Sequence, residues 1–230
     1  MKIEAVNEST CILYFGDSIS DETAAAVKYA TGLIRQKLPH LVTDLVPSYT
    51  SVMVCYDADR VDRFGIARQL RGALEQEEEG SQTDSAASTL ELPVYYDPEV
   101  GLDLDDVCAF SGLSHEDVIR IHSEQTYRVY AIGFSPGFAY LGITDPRIAL
   151  PRKATPRQKV PTGSVGIAGS QTAIYPSSTP GGWQIIGRTP RRMIDWDSES
   201  LALVEVGDRV RFRAIDRQEF LDLGGSLDEL

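Results

Sequence analysis

The sequence predicts an α+β protein: a small α/β domain, then a larger and mostly β domain that suggests a partly closed barrel. Three observations carry this. Two helical periods alternate with strand-like runs in the first 75 residues. Residues 75–89, EQEEEGSQTDSAAST, contain just two small apolar side chains, Ala86 and Ala87, which is the composition of a linker. Beyond residue 126, short alternating runs follow one another between turns, and the helical patterns of this part all lie before them. The expected boundaries are 1–80, a linker over 81–90, and 91–230.

Residues 2–7 and 10–15 alternate loosely, as a hairpin would. Ser20 is a candidate N-cap, with Asp21 and Glu22 where the helix dipole favours acids. Ala24, Val27, Ile34 and Leu38 recur at helical spacing until Pro39 stops the pattern. LVTDLV (41–46) and SVMVCY (51–56) read as strands joined by a turn at Pro47-Ser48. A second helix is predicted from about Asp59, with Val61, Phe64, Ala67, Leu70 and Leu74 on one side, completing a ββαββα order. Residues 89–96 are a candidate closing strand for this domain. Glu77, Glu78 and Glu79 read as a solvated helix end.

In the second part, Asp103-Leu104-Asp105-Asp106 opens a helix. Ser114 with Asp117 resembles a capping box for the next one, which carries His122 near its end. TYRVYAIGF (126–134), SVGIAG, QTAIYP and WQIIGRT are strand candidates, and LALVEVG (201–207) is expected to pair with RVRFRAI (209–215).

The composition is that of a globular protein, with 42% hydrophobic and 24% charged residues. No run approaches the roughly 18 consecutive apolar residues of a membrane span. MKIEAVNEST has neither a basic nor an apolar segment of a secretory signal. Three widely spaced cysteines without a CxxC or Cys/His cluster disfavour a zinc site and fit a reducing, cytoplasmic compartment. No metal ligands are expected. The net charge of −12 repels nucleic acid and anionic membranes. It is uneven, because residues 128–192 hold nine basic side chains and the single acid Asp145. Nine of the 19 glycines and eight of the 12 prolines lie between 133 and 190. That stretch reads as rigid loops and short strands, suited to a small anion or an acidic protein.

Four kinds of group there can carry chemistry. Phe134, Phe138, Tyr140, Tyr175 and Trp183 can wall an apolar cleft or form core. Arg152, Arg157 and Arg188 offer planar forks for carboxylate or phosphate, or lie solvated on the surface. Ser164 and Gln171 can donate and accept hydrogen bonds. The backbone at Gly163, Gly166 and Gly169 can present N–H groups to an oxyanion. His122 is either a general base or a helix-end group. The motif GxSxG is absent around Ser164, which disfavours a Ser-His-Asp hydrolase. GSVGIAGS lacks the lysine of a phosphate loop, and the spacing of its glycines is not GxGxxG.

The ordered set HSEQTY (122–127), GFSPGFAYLG (133–142), PR at 151–152 and 156–157, VPTGSVGIAG (160–169), QTAIYP (171–176) and PGGWQIIGRTP (180–190) closely resembles the allophanate hydrolase subunit 1 family. That family includes PxpB, the B component of 5-oxoprolinase, and the kinase inhibitor KipI. DLVPSYTSVMVCYD (44–57) also resembles its N-terminal domain. Ala173 and Thr162 are minor departures. The resemblance implies a ferredoxin-like N-terminal α/β domain and a cyclophilin-like C-terminal β-barrel. It further implies a component of an ATP-dependent 5-oxoprolinase that opens the 5-oxoproline lactam to L-glutamate. Such a component acts only with a PxpC-like and a PxpA-like partner, and ATP, with Mg²⁺ inferred from it, would bind in the assembled complex. On this reading Arg152, Arg157 and Arg188 face anionic groups, the aromatics shape the cleft, and Ser164 or Gln171 orients the lactam. His122, Ser164 and Arg188 are then the catalytic candidates. The alternative within the family is a KipI-like inhibitor that binds a sensor histidine kinase and blocks its autophosphorylation.

Overall fold

The computed structural model describes residues 1–75, 89–197 and 201–227. The chain divides into two compact units, Met1–Ala86 and Ala87–Leu230. The predicted acidic helix end at 77–79 and most of the predicted linker lie outside the described residues. Thr89 and Leu90, assigned to that linker, already belong to a strand.

The first unit runs β1 (Lys2–Asn7), β2 (Thr10–Tyr14), α1 (Asp21–Lys37), β3 (Val42–Ser48), β4 (Ser51–Tyr56) and α2 (Arg63–Glu75). Its antiparallel sheet has the order β1-β2-β4-β3. The crossover β2-α1-β3 leaves a gap that β4 fills, which is the split βαβ unit of ferredoxin-like folds. The closing strand expected from residues 89–96 does not join this sheet; it pairs within the second unit instead. Ser20 caps α1 as predicted, its Oγ accepting from the Thr23 N–H at 3.1 Å. Two details differ. β3 runs through Pro47 to Ser48, so the turn lies at 49–50; β3 is an edge strand, where a missing N–H is tolerated. In α2 the buried stripe is Ile66, Leu70 and Ala73 at helical spacing, while Phe64 lies exposed under the Arg63 guanidinium.

The second unit holds β5 (Thr89–Tyr95), α3 (Leu104–Ser111), α4 (His115–Glu124), β6 (Thr126–Ile132), β7 (Ala139–Gly142), β8 (Arg157–Val160), β9 (Ser164–Ala168), β10 (Gln171–Ile174), β11 (Thr179–Gly181), β12 (Gln184–Arg188), β13 (Arg209–Ile215) and α5 (Arg217–Asp222). Seven strands close a barrel in the order β10-β7-β6-β13-β5-β12-β9, and β8 with β11 forms a separate ribbon. The forward half of the predicted capping box is present: the Asp117 N–H donates to Ser114 Oγ at 3.2 Å, while the second bond runs between side chains, from that hydroxyl to the Asp117 carboxylate at 3.0 Å.

β13 pairs in parallel with β5 over seven residues and antiparallel with β6. Both of its edges are therefore taken, and the expected pairing with residues 201–207 does not form. That segment makes one isolated bridge, Ile194 with Ala202, and turns back. Leu92, Val94, Tyr127, Val129, Leu141, Val165, Ile167, Ile174, Ile186 and Phe212 from the barrel strands share one core with Leu104 and Val107 of α3 and Val118 and Ile121 of α4. No described helix is long and apolar enough to cross a membrane.

Candidate functional site

Strand alternation divides the motif-rich stretch into two faces. Val165, Ile167, Ile174 and Ile186 point into the main core. Ala168, Ala173 and Ile185 point the other way, into a second cluster with Phe138, Val160, Tyr175 and Trp183, against which Tyr140 packs. Phe138 is its hub. Its ring stands edge-on to Tyr140, Tyr175 and Trp183 at centroid distances of 4.9, 5.2 and 5.6 Å. Such edge contacts bring the positive rim of one ring to the negative face of the next. Only glycine fits at 181, since the Tyr175 hydroxyl occupies the place a Cβ would take. Burial pushes the Tyr175 hydroxyl up to about 12. Phe138, Tyr175 and Trp183 thus form a small core of their own and do not wall an open cleft.

Above that core the exposed groups gather. Phe134 is 64% exposed, holds φ at 71°, and meets Phe138 edge-on at 5.3 Å. A tight turn fixes it: the Gly133 N–H donates to Phe138 O, and the Phe138 N–H to Ser135 O. The Arg152 guanidinium lies over the Trp183 ring at 5.6 Å, within cation–π range. Half-buried Gln171 shares the outer face with Ala173, which pairs with Tyr140 across β10 and β7.

The loop that carries Arg152 is fastened by an acid that the sequence pattern presents only as the start of a helix. Asp103 is 1% exposed at the N-cap of α3 and does not cap it. Its carboxylate instead accepts two bonds from Arg157, each 2.7 Å, one from Lys153 at 2.6 Å and one from the Ile185 N–H at 2.8 Å. Burial acts to raise this carboxyl, and the bonds from Arg157, Lys153 and Ile185 outweigh it, holding it below the usual range. Around Arg152 the backbone is pinned as well. Gln184 Nε2 donates to Pro151 O, and the Lys153 N–H donates to Gly182 O, both at 2.7 Å.

Three expected catalytic groups lie inside the protein. His122 is 0% exposed and stacks on Phe212 at 4.6 Å. Thr172 Oγ1 donates to Gly166 O at 3.0 Å, so it accepts from His122 Nε2 at 2.9 Å. Nδ1 then accepts from the Tyr96 hydroxyl at 2.7 Å. Burial lowers the ring to about 3, so it stays neutral. This ring has no surface at which to exchange a proton with a substrate, which corrects its reading as a general base. Arg188 is 2% exposed and donates from Nη1 to Ser226 O at 2.9 Å. Ser164 pairs across the ladder with Arg188; its Oγ is buried and has no hydrogen-bond partner among the described residues.

The expected oxyanion cradle is also occupied. The Gly163 N–H donates to Tyr175 O and the Gly169 N–H to Leu150 O, while Gly166 lies within β9 between β10 and β12. Gly163 is required for its φ of 79° and for the close approach of Thr189 O. The triphosphate of ATP therefore does not match this face. Its glycine N–H groups are spent, Arg157 and Lys153 already serve Asp103, and Arg188 lies beneath the surface. Among the described residues no cluster of three or more His, Cys, Asp or Glu is placed to hold a metal.

The carboxyltransferase domain family, subdomain C and D, matches residues 1–204, and the chain belongs to it. Among known proteins, the chain is 37% identical over 228 residues to the B component of 5-oxoprolinase from Bacillus subtilis (strain 168), covering 95% of each. The crystal structure of TTHA0988 superposes with a TM-score of 0.80 at 36% identity, over 91% of this chain and 40% of that one. The chain thus spans well under half of that longer protein. The urea carboxylase of Kluyveromyces lactis shares the fold at a TM-score of 0.74 and 17% identity, over 93% of this chain and 22% of that one. The signature motifs at 122–190 resemble this same family, and the relatives agree with them.

Asp103 is the residue beneath this face that sequence reasoning passed over, as it did Tyr96 and Thr172, the buried partners of His122. For Asp103 the only signal was an acid within GLDLDD, indistinguishable from an ordinary helix start.

Proposed function

We propose that the chain is the PxpB component of an ATP-dependent 5-oxoprolinase, which opens the 5-oxoproline lactam to L-glutamate together with PxpC-like and PxpA-like partners in the cytoplasm. One observation carries the reading: the 37% identity to a protein named as the B component of 5-oxoprolinase, end to end in both chains. The arrangement of the outer face agrees with it. Arg152, its guanidinium 5.6 Å from the Trp183 ring centre, anchors the substrate carboxylate. Phe134 and Tyr140 flank the planar lactam, and Gln171 orients its amide. Phe138, Tyr175 and Trp183 form the floor. Arg157 and Arg188 act in this proposal as supports: Arg157 locks the loop beneath Arg152, and Arg188 ties β12 to the C-terminal segment. His122, bonded to Tyr96 and Thr172, steadies the strands behind the floor, where Ser164 lies buried. ATP, with Mg²⁺, would supply the driving force that an unstrained amide needs in order to open.

The test is 5-oxoproline-dependent formation of ADP and glutamate by this chain alone, then with its co-purified partners. Turnover confined to the full mixture is the expected result. No turnover in any mixture, with tight binding to a histidine kinase instead, would overturn the proposal in favour of an inhibitor.

A further inference from the structure

We infer that the outer face around Arg152 takes a singly charged, planar carboxylate ligand, and that the phosphates of the nucleotide are held on another component of the complex. The inference rests on the proposed function and divides the labour within it. It follows from charge accounting on one surface. The motif-rich stretch looks strongly cationic in sequence, with nine basic residues and one acid between 128 and 192. Folding cancels much of that excess near the aromatic cluster.

Lys153 reaches Asp103 at 2.6 Å and Asp106 at 3.3 Å, and Arg157 forms its two-point pair with Asp103. Two cations there meet two acids. Arg147, a little earlier in the chain, is paired with its own neighbour Asp145 at 2.8 Å. Lys159 sits two residues from Arg157 in β8, so alternation directs it away from the ribbon face that sends Val160 into the cluster. Arg188 is buried. Arg152 is exposed, lies within cation–π range of Trp183, and makes no ion pair among the described residues. One guanidinium fork beside apolar rings matches one carboxylate on a flat amide ring.

A triphosphate asks for more. Phosphate sites gather several cations, a metal ion and a run of free backbone N–H groups. Here the N–H groups of Gly163 and Gly169 are bonded to Tyr175 O and Leu150 O, and Gly166 lies within the barrel ladder. Among the described residues, Arg152 is the one guanidinium over the aromatic cluster that makes no ion pair, where a triphosphate asks for several cations at one place.

Two measurements on the assembled complex test this. In the first, Arg152→Ala is expected to raise KM for 5-oxoproline about tenfold or more while leaving KM for ATP unchanged, with Arg152→Lys intermediate. Arg191→Ala/Arg192→Ala, at two exposed positions beyond β12, is expected to leave both constants unchanged. A raised KM for ATP in either variant, or an unchanged KM for 5-oxoproline in Arg152→Ala, overturns the inference. In the second, the wild-type complex is photolabelled with an azido-ATP. Label on a partner chain supports the inference, and label on this chain overturns it. Both outcomes stand apart from the failure of the proposed function, which would appear as a wild-type mixture without turnover.

Discussion

The carboxylate of Asp103 and the guanidinium of Arg157, 54 residues apart in sequence, meet in a two-point pair with both contacts at 2.7 Å. The pair ties the start of α3 to the start of β8. A third bond from the same carboxylate, to the Ile185 N–H, draws in β12. The loop between Pro151 and Arg157 is thereby set against the barrel, and Arg152 near its start is presented over Trp183.

Removing the acid from this clamp should be costly. Asp103→Ala leaves Lys153 and Arg157 side by side without their shared partner, and breaking a buried pair in this way costs about 3–5 kcal/mol. Arg157→Ala should cost less, because that side chain remains 24% exposed. Urea unfolding of the two variants measures both losses. A wild-type midpoint in Asp103→Ala would show that the clamp contributes nothing.

Acid should weaken the fold through His122. Its folded value, about 3, lies below the 6.5 of an unfolded histidine because burial disfavours the imidazolium. A depressed value means that the unfolded chain binds the proton first. The contribution is complete above about pH 6.5 and is lost progressively as pH falls toward the folded value. Between pH 5.5 and 4.5 this single group should remove about 1.4 kcal/mol of stability. Asp103, also depressed, adds to the loss only below about pH 4. Urea melts at pH 7, 5.5 and 4.5 give the slope, and His122→Gln should flatten it. An equal slope in that variant would assign the acid sensitivity elsewhere.

Phe134 pays in backbone strain for its exposed position. A positive φ costs a residue with a Cβ about 1–2 kcal/mol relative to glycine in the folded state, part of which glycine returns through its greater unfolded entropy. Phe134→Gly should therefore be more stable than Phe134→Ala by about 1 kcal/mol. On the proposed function both should lower turnover of the assembled complex severalfold, since the ring proposed to flank the substrate is gone. Full activity in both variants, in the same assay used for wild type, would remove Phe134 from the site.

Local signals were legible where they act over one helical turn or along one strand. Ser20 and Ser114 cap the helices they were expected to cap. The alternation in QTAIYP sends Thr172 and Ile174 to one side and Ala173 and Tyr175 to the other. The same local view misjudged α2, where Phe64 fitted the apolar count and yet faces solvent. It also paired residues 201–207 with β13, because neighbours in sequence are the default partners of a strand. The true partner, β5, lies about 120 residues earlier.

The sequence by itself determined the α+β class, the helix starts, the apolar strands and the family motif, since each depends on residues within a few positions of one another. Only the tertiary structure decided which candidate site residues meet solvent and which are consumed. Arg152, Arg157 and Arg188 are equivalent forks on paper. In the fold the first is exposed, the second is bound by Asp103 and the third is buried at Ser226. His122 is likewise a base by its side chain and a neutral core group by its surroundings. The physical reason is the same in each case. Charge, solvation and hydrogen-bond occupancy are set by what lies within about 3 Å in space, and here those neighbours come from 26 to 54 positions away in the chain.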